Sequence, residues 1–155
     1  MNSSVEQRLR ASGIQLPPAP KPLGAYVEAV QVANLLFVSG ALPLQGGVPQ
    51  FIGRLGGELS IEDGRSAARL AALNALALAR QHLGSLDKVQ RVARLFVSIA
   101  TTPEFREHPK VADGASELLA EVFGAELAST RNVSGATTLP NGVCVVVEMT
   151  LAMQP

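Results

Sequence analysis

The side chains that ordinarily carry enzyme chemistry are scarce in this sequence. There are two histidines, His82 near the end of an Ala- and Leu-rich segment and His108 directly before a proline. Both read as surface or helix-end residues rather than as general bases. The single cysteine, Cys144, begins a run of valines. Nothing nearby in sequence would depress its pKa, so it reads as a small buried hydrophobe and not a nucleophile. No phosphate-binding glycine loop, HExxH or GxSxG occurs. What remains is the C-terminal segment TRNVSGATTLPNGVCVVVEM, where Arg131 stands eight residues before Leu139-Pro140 and Glu148 lies on the strand that follows.

Composition excludes further classes. Lys plus Arg equal Asp plus Glu at 13 each, so no global field draws the chain to phosphate backbones or to acidic membranes. With aromatics at 4%, stacking platforms for bases are also missing, and nucleic acid is not an expected partner. One cysteine rules out an intramolecular disulfide, and no Cys/His cluster has the spacing of a zinc site. The opening MNSSVEQRLR holds no apolar segment of the signal-peptide kind, and apolar runs elsewhere fall short of the roughly 20 residues a membrane span needs. The expectation is a soluble, cytoplasmic protein with enough apolar material, 47%, for one real core.

The elements that must position any site follow from pattern. Ser3 to Ser12 reads as a short amphipathic helix, an appendage joined by the proline-rich extended arm Leu16 to Pro22. The expected division is therefore residues 1–22 as helix and arm and 23–155 as a single domain. YVEAVQV from Tyr26 and LLFVSG from Leu35 predict a hairpin turning at Ala33-Asn34. Gly46-Gly47 marks another turn, and the glycine-rich run Gly53 to Gly57 predicts an irregular loop, a candidate site rim.

Ser60 followed by Asp63 signals a helix start, and the segment runs to Leu83 with Gly84 as the stop. Ala67, Ala71 and Ala75 leave one side of that helix thin enough to approach a sheet closely, while Arg65, Arg69 and Arg80 are expected to face water. Val89 to Thr101 alternates as a long strand. Thr102-Pro103 then opens a short helical turn that Pro109 interrupts, and DGASELLAEVFG predicts a second main helix ending at Gly124. Two strands close the chain, about Asn132 to Thr138 and Val143 to Met153, with the Asn141-Gly142 signal between them predicting a hairpin.

The order β-β-β-α-β-α-β-β predicts an α+β domain with two helices on one face of a mixed sheet. The other face lacks cover, and association with further copies is the simplest remedy.

The C-terminal segment resembles the signature of the Rid/YjgF family, once described as endoribonuclease L-PSP. That signature is an Arg, Leu-Pro eight residues on, and a strand bearing acidic residues; here these are Arg131, Leu139-Pro140 and Glu148. Upstream, LGAYVEAVQVANLLFVSGALPL resembles the family's first hairpin, with Tyr26 and Ser39-Gly40 in the matching places. The ELSIEDG and PKVADGASELLAEVFG segments are most similar to a longer-armed subgroup.

The resemblance implies a chorismate-mutase-like fold, a homotrimer with ligand sites between subunits, and no metal or cofactor. It implies hydrolysis of reactive enamines or imines of the 2-aminoacrylate type to 2-keto acids and ammonia. Arg131 matches the family's carboxylate-binding arginine, a role for which a planar guanidinium is suited and an ammonium is not. Gly40 matches a glycine whose backbone approaches the substrate, and Tyr26 matches a tyrosine in the cleft. Asp113 falls near the family's asparagine.

Two positions depart from the family pattern. Val133 stands where a cysteine is usual, leaving only its backbone for ligand contact. Val146 stands where the family carries the glutamate that positions the hydrolytic water. Glu148, on the same strand face and roughly 6–7 Å along, is the candidate to take over that task. The implied activity is therefore an imine deaminase, with a non-catalytic metabolite-binding protein as the alternative and an endoribonuclease as a remoter one.

Overall fold

The computed structural model describes residues 3–155. Its framework is a five-stranded sheet of β1 (Ala29–Val32), β2 (Leu35–Ala41), β5 (Val89–Ala100), β6 (Thr130–Ala136) and β7 (Val145–Met153), in the order β1-β2-β7-β5-β6. All neighbours are antiparallel except β5 and β6, which run parallel. A separate two-residue pairing, β3 (Leu44–Gln45) with β4 (Val48–Pro49), takes the place of the expected third strand. It is too short to join the main sheet because Gly46-Gly47 turns the chain at once.

Two long helices cover one face. The helix α2 (Ile61–Leu83) starts where the sequence places it: Ser60 Oγ accepts from the Asp63 amide at 3.1 Å, and Asp63 Oδ2 accepts from the Ser60 amide at 2.9 Å. It stops at Gly84 with φ +84. Ala67, Ala71 and Ala75 are fully buried against the sheet, where α2 packs on β2 and β7. The other main helix, α3 (His108–Phe123), packs on β5 and β6 and lies beside α2. The two helices meet so closely at Gly114 that a Cβ there would strike the Arg65 carbonyl. Core side chains from the covered face, among them Leu36, Leu95, Val97, Ile99, Val147 and Leu151, are fully or almost fully buried.

Several local expectations are corrected. Leu139–Gly142 does turn, with Asn141 at φ 57 and Gly142 at φ 73, but it does not join paired strands. Instead β6 and β7 flank β5 on either side, and β5, the longest strand, buries Leu95, Val97 and Ile99 between them. Pro109 does not interrupt a helix but sits in the first turn of α3, where its missing amide costs nothing, so α3 begins at His108 and Thr102-Pro103 opens no helix. Tyr26 precedes the first strand, which starts only at Ala29.

The short helix α1 (Val5–Ala11) is docked and not an appendage: Leu9 is buried in the main core, and Glu6 accepts from the Leu86 amide at 3.0 Å while pairing with Arg80 at 3.3 Å. Arg65 and Arg69, expected to face water, reach Glu117 at 2.6 Å and Glu121 at 2.9 Å on α3. The far face of the sheet carries exposed Val30, Val32 and Phe37 and has no cover within the described chain. No helix among the described residues is long and apolar enough to cross a membrane.

Candidate functional site

The strand β6 lies at the sheet edge, and alternation sends Arg131, Val133 and Gly135 toward the side on which α3 lies. Arg131 Nη1 donates to Asp113 Oδ1 at 2.6 Å and to Ser116 Oγ at 3.1 Å. Asp113 and Ser116 are three apart on α3, so one face of the helix presents both acceptors to the same nitrogen. A guanidinium has five N–H donors. With both Nη1 hydrogens engaged, the Nε and Nη2 edge keeps the parallel pair of donors that fits a carboxylate. The Arg131 side chain is 26% exposed, so the residue is in part open to solvent.

Asp113 therefore acts on Arg131 and not on the start of its helix, which lies at His108. Ser116 was missed in the sequence because its role appears only once α3 is known to lie alongside β6. Val133 is half-buried against the core and contributes no polar side chain.

The remaining candidates lie at the opposite side of the sheet. Gly40 is in β2, with β7 and β5 between it and β6, a separation of about 14 Å across the strands. A Cβ at Gly40 would lie 3.0 Å from Val146 Cγ1, so the two positions are direct neighbours. Tyr26 is 46% exposed, and its hydroxyl accepts from the Leu23 amide at 3.1 Å, which leaves the hydroxyl proton free to donate. A narrow cleft runs between Tyr26, Glu28, Ser39 and Gly40. Glu28 was not singled out in the sequence, where it is one acid in an alternating strand.

Val146 and Glu148 share the uncovered face, as the alternation predicts, and Glu148 stands opposite Phe96. Arg131 pairs with Leu95, one register position away and on the other face. Within one chain, then, Arg131 and Asp113 come together, Tyr26 and Gly40 come together, and Glu148 lies across from the Ser39-Gly40 irregularity of β2, on the face it shares with Val146. Cys144 is fully buried, and burial pushes its thiol up to about 12, so it has no thiolate to offer at neutral pH.

Residues 6–151 match the family model described as "YjgF/chorismate_mutase-like, putative endoribonuclease". This chain belongs to the YjgF family. Protein TCP17 of Trypanosoma cruzi is 39% identical over 145 residues, covering 93% of this chain and 91% of that protein. Among solved structures, a "putative endoribonuclease" of Shewanella oneidensis MR-1 superposes with a TM-score of 0.93 at 32% identity, covering 97% of this chain and all of that one. The protein Atu1372 of Agrobacterium tumefaciens, of unknown function, superposes at 0.88 with 34% identity, covering 97% and 92%. The YjgF membership and the chorismate-mutase-like α+β fold expected from the sequence hold across these likenesses.

Proposed function

We propose that this YjgF chain binds small 2-imino and 2-keto carboxylates and hydrolyses reactive enamines and imines of the 2-aminoacrylate type to 2-keto acids and ammonia. The observation that carries the reading is the free Nε/Nη2 edge of Arg131, aimed and held by Asp113 and Ser116. A ligand carboxylate would take two parallel charge-assisted bonds there. The Val133 backbone lies two residues further along the same edge strand, beside the place where the α-carbon would rest.

Tyr26 and Gly40 lie too far away to serve the same ligand from one chain. In this reading they come from a second copy within a homotrimer, whose β1–β2 edge meets the β6 edge of the first. The Gly40 backbone would orient the nitrogen, and the free Tyr26 hydroxyl proton would donate to the leaving ammonia or to a water. The enamine tautomerises to the imine, water adds to its carbon, and the carbinolamine expels ammonia to leave the keto acid. No oxidant or metal enters this balance.

A specific observation favours the alternative of a binding protein without turnover. Val146, beside Gly40, cannot hold a water by hydrogen bonding, and it packs instead against the small apolar cluster of Leu42, Leu44 and Val143. A positioned acid or base is worth typically 10²–10⁴-fold.

The test generates 2-aminoacrylate in situ with a pyridoxal-phosphate dehydratase and follows keto-acid release. Acceleration that Arg131→Ala abolishes supports the enzyme. Saturable 2-ketobutyrate binding without acceleration supports the binding protein, and absence of both overturns the carboxylate reading.

A further inference from the structure

An open cavity lies beside β6 at the end of the strand away from Arg131. It measures about 450 Å³ and is lined by Arg54, Arg106, His108 and the hydroxyl residues Thr101, Thr102 and Thr137. It includes Gly135, four residues beyond Arg131 and so roughly 13 Å along the strand. A single small keto acid cannot span that distance. Gly135 does not have the positive φ that would call for glycine, so its missing side chain is a matter of space. A Cβ there would lie 2.8 Å from His108 Nε2 and 3.5 Å from Thr101 Oγ1, which means imidazole and hydroxyl converge over the bare backbone.

The charges around this cavity are largely unspent. Arg54 forms no salt bridge and its guanidinium no hydrogen bond among the described residues, although Glu58, which accepts from the Arg54 amide at 2.9 Å, stands on the same loop. Arg106 is fixed through Nη1, which donates to the carbonyls of Pro103 at 2.6 Å and Phe105 at 3.0 Å, and its Nη2 edge is left over. The His108 ring stacks edge-on against Phe105, 5.2 Å between centroids, which sets its orientation while no side-chain acceptor among the described residues occupies either nitrogen. Of the nearby acids, Glu107 is paired with Lys110, and neither it nor Glu104 lines the cavity.

We infer that this cavity is a second anion site, separate from Arg131, that takes a phosphate group. Two guanidinium edges, the His108 imidazole and the Thr101 hydroxyl offer more donors, from more directions, than the two oxygens of a carboxylate can use. A tetrahedral phosphate can meet them all. The source is a small phosphate compound and not a nucleic acid, since the balanced charge of the chain supplies no groove that would follow a backbone of repeated phosphates.

The chain has only two histidines, which makes ring-proton NMR of the full-length protein a direct reading, with a His82→Gln variant assigning the signals. Inorganic phosphate is expected to shift the His108 signal saturably and leave that of His82 in place, and methyl phosphate to do the same if the site takes monoesters. Arg54→Ala and Arg106→Ala should each weaken this binding about tenfold, Gly135→Ala should weaken it by crowding His108, and Arg131→Ala should leave it unchanged. Thermal melts of each variant separate lost binding from lost folding. No saturable shift, a shift abolished by Arg131→Ala, or a response to a short oligoribonucleotide but not to phosphate would overturn the inference; 2-ketobutyrate binding, measured alongside, tests the Arg131 reading independently.

Discussion

The two edges of the sheet are unequally equipped. At the β6 edge, Arg131 is held at two points by Asp113 and Ser116, and its remaining donors form the fork that a carboxylate needs. At the β1–β2 edge, Tyr26 and Gly40 frame a cleft whose neighbour Val146 is apolar and packed into a small hydrophobic cluster. The first edge presents a guanidinium fork, whereas in the second Val146 adds no polar group and the polar side chains of the cleft are Tyr26, Glu28 and Ser39. Under the proposed function, recognition and turnover are separable by substitution.

The largest expected effect is at the equipped edge. Arg131→Ala should weaken 2-ketobutyrate binding about 100-fold, read by calorimetry, because a bidentate charge-assisted pair is lost. Arg131→Lys should recover little of it, since an ammonium cannot copy the fork. If lysine restores wild-type affinity, the geometry assigned to Arg131 is wrong.

Next in size is repair of the poorer edge. Val146→Glu, with its carboxylate beside Gly40, should raise the rate of imine hydrolysis at least tenfold in the coupled keto-acid assay. The substitution should also lower Tm, because it removes an apolar contact from the Leu42, Leu44 and Val143 cluster. Unchanged turnover in a folded Val146→Glu protein would show that the missing acid is not what limits this edge.

Smaller effects sharpen the comparison. Asp113→Asn keeps a hydrogen-bond acceptor for Arg131 but removes a negative charge that opposes an incoming carboxylate, so ligand affinity should rise about fivefold, the equivalent of about 1 kcal/mol. Tyr26→Phe should lower turnover a few-fold without altering equilibrium binding of 2-ketobutyrate. The smallest effect is expected of Glu148→Gln: Glu148 faces away from Arg131 on the uncovered side of the sheet, so binding should stay within about twofold of wild type. A large loss there would give Glu148 a part in the Arg131 site, from which the sheet separates it.

Legibility in the sequence followed the range of the interactions involved. The helix α2 was readable at both ends because its signals, the Ser60–Asp63 capping box and Gly84, act within a few residues. The Asn141-Gly142 signal was equally local and correctly marked a turn, yet it misled about pairing, since whether β6 and β7 join each other or flank β5 depends on burial summed over strands far apart in the chain. Pro109 is ambiguous in sequence for a related reason: proline ends a helix or starts one depending on where the chain enters, and α3 enters where it packs on β5 and β6.

By itself, the sequence determined the family pattern, the α+β class, the arginine suited to a carboxylate and the absence of a glutamate at Val146, because these rest on residue identity and short spacing. Only the tertiary structure decided that Ser116 joins Asp113 in holding Arg131, that Glu148 is on the opposite face of the sheet from Arg131, and that Arg54, Arg106 and His108 line one cavity with Gly135. Each of these requires segments distant in sequence to be brought side by side, which packing of the helices on the sheet accomplishes and no local pattern records.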